Sequence, residues 1–227
     1  MALELPTPNS QRPTTPNSQR PRSVESKMMS NAFEKEVAAL LPWRKGHFRF
    51  ESGHHGDTWL NLELLCLQPE PVEQLATVLA DCLSEQRPDV VCGPLVEGAF
   101  VALMVARRMK VPFTYTERID SKTDDMFPVS YRLPGQQREL VAGKRVVIIN
   151  DVIGAGSAVL GTLKDLYECG ADPVAIGTLA TRGSSATVLA RANGLVLETL
   201  ASFPGDMWKP SECPLCAAGV PLVDESH

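Results

Sequence analysis

The residues best suited to chemistry lie together in VVIINDVIGAGSA, Val146 to Ala158. Four β-branched apolar residues lead to Asn150 and Asp151, hydrogen-bonding side chains of the kind that grip the vicinal hydroxyls of a sugar. Gly154, Ala155, Gly156, Ser157 and Ala158 follow and lead into a helix-like run, Val159 to Tyr167. Small residues let backbone come close to a ligand, and the free amides at the start of a helix attract an anion. Ser157 adds a hydroxyl donor. The chemistry implied is a seat for a phosphorylated sugar. A dinucleotide is the weaker reading, because no GxGxxG is present, nor is the Lys of a P-loop.

Four other stretches carry reactive or ligand-binding side chains. GPLVEGAFVA, Gly93 to Ala102, separates a strand pattern from a helix pattern and can present amides to a second anion, or serve as a plain turn. Arg182, in TLATRGSS, has the planar fork that holds a carboxylate in two parallel hydrogen bonds, or is a solvated surface arginine. His54 and His55 fall in the turn SGHHGD. Adjacent side chains on an extended turn seldom face one site, so the expectation is an exposed turn with one substrate contact at most. Cys213 and Cys216 form CPLC, which is shaped like half of a zinc knuckle. Four thiolates are wanted for closure and only two are here, so a plain C-terminal turn is expected, with a site shared across a dimer as the alternative.

The order of these stretches, over about Phe50 to Arg182, resembles that of the type I phosphoribosyltransferases and most closely the orotate phosphoribosyltransferases. Val146 to Ala158 is similar to the motif that binds phosphoribosyl diphosphate (PRPP), with Asn150 at the first of its two acidic places. Gly93, Pro94, Gly98 and Ala102 match the diphosphate loop, with Glu97 where Lys is usual. Ser52 and Gly53 match a Lys-Ser-Gly turn in which Glu51 stands for the Lys. Trp59 and Leu60 occupy the following aromatic places, and Arg182 the place of an arginine that holds the orotate carboxylate.

The resemblance implies an α/β fold with a parallel sheet, helices on both faces and a flexible lid. It implies transfer of the phosphoribosyl group of PRPP to a nitrogenous base, orotate first, giving orotidine 5'-phosphate and diphosphate in pyrimidine biosynthesis. Mg²⁺ would be the cofactor, with Asp151 as its ligand. Asp151, Arg118 and Lys122 are the expected catalytic residues. Asn150, Gly154, Ala155, Gly156, Ser157, Ala158, Gly93, Pro94, Gly98, Ser52, Trp59 and Arg182 are expected to bind substrate. A homodimer is also implied. A transferase for another base, or a non-catalytic PRPP-binding regulatory protein, uses the same pocket and stands as the alternative.

Those residues need elements to hold them. Val146 to Ile149 reads as a strand buried on both faces. A helix is expected over Ala32 to Leu41, then strands over His47 to Glu51 and Thr58 to Leu62. From about Pro69 the pattern alternates: helix to Gln86, strand Asp89 to Cys92, helix Glu97 to Met109, strand Val111 to Thr116. It resumes with Arg145 to Tyr167, Val174 to Ala180, Ala186 to Ala192 and Leu195 to Ala201. Such alternation predicts a parallel sheet whose ligands sit beyond the carboxyl ends of the strands. The polar segment Glu117 to Lys144 interrupts it and is the expected lid.

Length and composition set the remaining bounds. With 227 residues, 44% hydrophobic and 22% charged, the chain suits one sizeable core over 31–227, with a C-terminal extension over 204–227. Residues 1–30 carry TPNSQRP twice, at Thr7 to Pro13 and Thr15 to Pro21, and too little apolar surface to offset their ordering entropy, so they are expected to be a disordered tail. That tail is +2, leaving −7 of the net −5 on the remainder, a balance that argues against a nucleic-acid partner. No apolar run is long enough for a membrane span, and no secretory signal is recognisable, so a cytoplasmic protein is expected. Cys66, Cys82, Cys92 and Cys169 lie in apolar segments and are expected to be small core residues.

Overall fold

Val147 and Ile149 join one buried core while Val146 and Ile148 join another, so the strand they share is covered on both faces. The computed structural model describes residues 33–41, 43–50, 53–120, 129–203 and 205–224. A helix over 33–40 (α1) opens the described chain. Then come β1 (Trp43–Arg49), β2 (His55–Leu60), α2 (Pro69–Leu83), β3 (Val90–Pro94), α3 (Glu97–Met109), β4 (Phe113–Asp120) and β5 (Val129–Arg132). After them follow β6 (Arg145–Ile153), α4 (Ser157–Glu168), β7 (Asp172–Arg182), α5 (Ser185–Ala192), β8 (Val196–Phe203), β9 (Met207–Trp208), α6 (Pro214–Ala217) and β10 (Val223–Asp224).

The main sheet has the order β5-β4-β3-β6-β7-β8. Its neighbours are parallel except β4 and β5, which form an antiparallel arm. Val72, Leu75, Leu79 and Leu83 of α2 and Val101, Ala102 and Val105 of α3 pack under one face. Val159, Leu163 and Leu166 of α4 and Ala186 and Ala190 of α5 cover the other. Each helix buries one stripe at the 3.6-residue period, which is why the alternating pattern was legible as layers. The expected α/β fold with a parallel sheet and helices on both faces is the one observed.

A second sheet, β10-β1-β2-β9, joins the two ends of the described chain. Phe48 pairs with Val223 in parallel, and His55 pairs with Trp208 in antiparallel register. The C-terminal segment thus flanks the N-terminal hairpin on both of its edges.

The structure departs from expectation in four places. Asn150 and Asp151 lie within β6 rather than after it, because pairing with β7 continues through Asn150–Thr178 and Val152–Ala180 to Ile153–Thr181. His55 is no turn residue: it stands in β2 opposite Arg49 and is buried, since β2 is paired on both sides. The returning half of the expected lid is packed, with Leu133 and Val141 buried and Tyr131 against Gly161 of α4. Of the four cysteines expected in the core only Cys92 is fully buried, and Cys82 is exposed because it lies off the inner stripe of α2. The expected tail 1–30, Ser52 and Lys122 lie outside the described residues.

Candidate functional site

The site is built where β6 gives way to α4. Backbone pairing with β7 holds the carboxyl end of β6 rigid, and Thr178 Oγ1 donates to the Asp151 carbonyl at 2.9 Å. The Asp151 side chain is 4% exposed, and its Oδ2 has no hydrogen-bond partner. Burial raises its pKa to about 7, and the negative Glu97 at the start of α3 adds to the rise. The backbone amides of Val152 and Asp151 oppose it. A buried carboxylate oxygen without a donor is costly, so this atom is poised for a ligand hydroxyl or a cation. Asn150 is spent differently. Its Nδ2 donates to the Val152 carbonyl at 3.0 Å, and its Oδ1 abuts Gly98.

Beyond Ile153 the chain turns through Gly154, Ala155 and Gly156. Gly156 is the N-cap of α4 at φ 84°, a left-handed conformation that glycine adopts without strain. No side chain caps this helix, so the amides of its first turn, from Ser157 and Ala158 on, are left for an anion. Ser157 is exposed, and a side chain on Gly154 would reach Met207 of β9 at 3.6 Å.

The loop from β3 to α3 lies alongside. Gly93 has no room for a side chain: a Cβ would stand 2.6 Å from Ala102 Cβ and 2.8 Å from the Gly98 carbonyl. Gly98 has none either, because Asn150 Oδ1 occupies the space. Pro94 ends β3, and the Leu95–Val96 peptide is cis. The two expected anion loops therefore meet through Gly98 and Asn150. Arg118 sits on β4 two residues past Thr116, the last partner of β3, and is exposed at the same carboxyl end of the sheet.

Arg182 ends β7, one position past the Thr181–Ile153 pair, which sets it beside the start of the α4 loop. It is 4% exposed, so the surface reading fails. Its Nε and Nη2, the two nitrogens that form one edge of the fork, have no hydrogen-bond partner. Its charged carbon lies 4.9 Å from the centre of the Phe50 ring, and Phe50 in turn stacks at 6.0 Å and 7° on Trp59 of β2. Burial lowers the Arg182 pKa, and Asp57 counteracts. Gly205 lies beside this edge and leaves it clear by lacking a side chain, since a Cβ there would approach Nε to 2.9 Å and Nη2 to 3.1 Å.

Thus Asp151, Asn150, Gly154 to Ala158, Gly93, Pro94 and Gly98 share one end of the sheet, with Arg182 and Trp59 next to them. Arg118 is on the rim. Sequence reasoning missed Phe50, Gly205 and Met207 as members of the site. The alternation in FRF, Phe48 to Phe50, pointed to Phe50. Nothing local marked Gly205 or Met207, which arrive through pairing of β9 with β2.

Comparison with known proteins gives the family and the fold. Residues 68–194 match the model of the phosphoribosyl transferase domain. The chain is 32% identical over 196 residues to the orotate phosphoribosyltransferase of Nitratiruptor, covering 82% of this chain and 91% of that one. It is 29% identical over 202 residues to that of Caldanaerobacter subterraneus, covering 88% and 96%. Among solved structures it is similar to the orotate phosphoribosyltransferase of Aeropyrum pernix at TM-score 0.59 and 21% identity, covering 78% and 94%. The adenine phosphoribosyltransferase of Thermoanaerobacter pseudethanolicus has the same TM-score, 0.59, at 16% identity, covering 74% and 99%. At those identities the solved structures speak for the fold alone.

Proposed function

The chain belongs to the phosphoribosyl transferase domain family, and from that premise we propose that it transfers the phosphoribosyl group of PRPP to orotate, yielding orotidine 5'-phosphate and diphosphate. One observation carries the choice of base: Arg182 is buried with the Nε–Nη2 edge of its fork unpartnered, beside aromatic rings. Two parallel N–H groups match a planar carboxylate, and Phe50 and Trp59 suit the face of a pyrimidine. Adenine carries no carboxylate and would leave that edge unsatisfied.

In the reaction the bond from ribose C1 to diphosphate oxygen breaks and a bond from C1 to a ring nitrogen of the base forms. Diphosphate leaves with the bonding pair, and the nitrogen gives up its proton. The transition state is oxocarbenium-like, so the protein's share is to position both reactants and stabilise the leaving group. Amides of Gly154 to Ala158 seat the 5-phosphate, and Asp151 holds the ribose diol. The loop of Gly93, Pro94 and Gly98 takes the diphosphate with Arg118, and the family resemblance alone assigns Lys122 to that role and Ser52 to base binding.

Mg²⁺ fits these residues: Asp151 Oδ2 is an orphaned buried oxygen, and Glu97 adds negative charge close by. Held by Asp151, the ion would neutralise charge on the departing diphosphate. Val96, Phe100 and Leu103 are exposed at helical spacing around the start of α3 and supply apolar surface for the homodimer we propose. Among the described residues no helix is long and apolar enough to cross a membrane. Six free cysteines suit the reducing cytoplasm proposed for it.

The test is turnover with PRPP, Mg²⁺ and a panel of orotate, uracil and adenine. Release of diphosphate with orotate, and little with the other two, is expected. Turnover of adenine in preference to orotate would overturn the base assignment, and PRPP binding without release of diphosphate from any base would favour a regulatory protein.

A further inference from the structure

Four side chains outside the substrate residues converge on one point. His47 Nε2, His55 Nδ1, Cys213 Sγ and Cys216 Sγ all lie within 4.8 Å of one another. The two imidazole nitrogens are 3.2 Å apart. His47 Nε2 is 3.4 Å from Cys213 Sγ and 3.8 Å from Cys216 Sγ, and His55 Nδ1 is 3.2 Å from Cys216 Sγ. A tetrahedral zinc ion, with sulfur at about 2.3 Å and nitrogen at about 2.0 Å, holds neighbouring ligand atoms roughly 3.3–3.8 Å apart. We propose that these four residues form a structural zinc site that fastens the C-terminal segment to the N-terminal hairpin.

The backbone explains the convergence. His47 lies on the same face of β1 as Arg49, whose partner across the hairpin is His55, so the two imidazoles are diagonal neighbours on one face. Cys213 caps the short helix α6, and that turn brings Cys216 back beside it, with the Cys213 carbonyl accepting from the Ala217 amide at 3.2 Å. β9 before this turn and β10 after it pair with opposite edges of the hairpin. The CPLC turn is thereby bracketed over the two histidines.

Donor chemistry favours a metal over a hydrogen-bonded cluster. His47 Nδ1 is 2.8 Å from the Val220 carbonyl, a bond that puts the proton on Nδ1 and leaves the Nε2 lone pair facing the cluster. His47, His55 and Cys213 are buried and Cys216 is exposed, so three of the four donors are shielded from water. Two thiolates and two neutral imidazoles around a dication sum to zero charge, which suits a place where three of the four donors are buried. Binding releases the two thiol protons. Two sulfurs and two nitrogens in a tetrahedron select zinc over magnesium or calcium, which want oxygen. The ion would close loops from His47 and His55 to Cys213 and Cys216 that span most of the chain, so its contribution is to the docking of β9 and β10. Gly205 and Met207, next to Arg182 and the α4 loop, lie on that docked segment.

The assignment stands whether or not the chain turns over orotate, and its test reads metal. The full chain is purified with reductant, and its metal content is measured by plasma mass spectrometry, with thermal unfolding before and after treatment with a zinc chelator. One zinc per chain is expected, with Tm falling on chelation and returning when zinc is restored. Cobalt substituted into the wild-type chain should show the intense visible bands of a tetrahedral site and thiolate-to-cobalt charge transfer. Cys216→Ser, at an exposed position, should bind zinc more weakly than the wild type and, when loaded with cobalt, lose the charge-transfer intensity contributed by that sulfur. Three results would each overturn the proposal. These are no bound zinc even after equimolar zinc is added, a Cys213–Cys216 disulfide in place of metal, or zinc bound as tightly in both Cys216→Ser and His47→Ala as in the wild type.

Discussion

Asn150 Oδ1 fills the space that a side chain on Gly98 would need, so the carboxyl end of β6 and the first turn of α3 are fitted to each other. Their contact couples the loop proposed for diphosphate to the strand proposed for ribose. Gly98→Ala should therefore displace both. A cost of about 1–3 kcal/mol is expected for forcing a methyl group into this packing. Urea denaturation checks the stability, and steady-state kinetics should show a raised KM for PRPP.

Asp151 gives a pH dependence whose sign follows from burial. Its pKa rises from 3.8 to about 7 on folding. Between those values the folded chain keeps a proton that the unfolded chain has released, so stability falls as pH rises through this window. The full gap corresponds to about 4 kcal/mol. Asp151→Asn cannot ionise and should be more stable than the wild type at pH 8, with the advantage shrinking toward pH 4. Urea titrations at several pH values without divalent cations check this, and a pH-independent difference would contradict the burial of the charge. The same substitution should abolish PRPP binding.

Arg182→Gln removes the fork while keeping a polar side chain. Loss of a buried charge-assisted pair costs about 2–5 kcal/mol, so kcat/KM for orotate should fall at least about 30-fold. The ligand-free protein should lose only the contact of the guanidinium with the Phe50 ring, because Nε and Nη2 make no hydrogen bond to be lost. Kinetics with orotate and thermal melts of the free chain separate the two effects.

Asp165 anchors the returning half of the arm. It accepts from the Leu133 amide at 2.7 Å and from Arg138 Nη1 at 2.6 and 2.8 Å, with its side chain 5% exposed. Asp165→Ala leaves a buried amide and a half-buried guanidinium without an acceptor and should cost about 3–5 kcal/mol. Arg138→Ala, on the more exposed partner, should also destabilise the chain. Urea denaturation of both variants checks the size of each loss.

Local pattern determined the layers of this protein. Helix over Glu97 to Met109 and strand through Val146 to Ile149 were legible because a helical period and an unbroken run of β-branched apolar residues are both properties of consecutive side chains. The loop Gly154 to Ala158 was legible for the same reason, since small residues between a strand and a helix constrain only the backbone they belong to. Tertiary structure alone decided that Arg182 is buried, with the Nε–Nη2 edge of its fork unpartnered, rather than solvated, for burial depends on Phe50 and Gly205, far away in the chain. It also decided that His47 and His55 meet Cys213 and Cys216. Strand pairing between the two ends of the described chain brings these four together, and such long-range pairing has no period to read along the sequence.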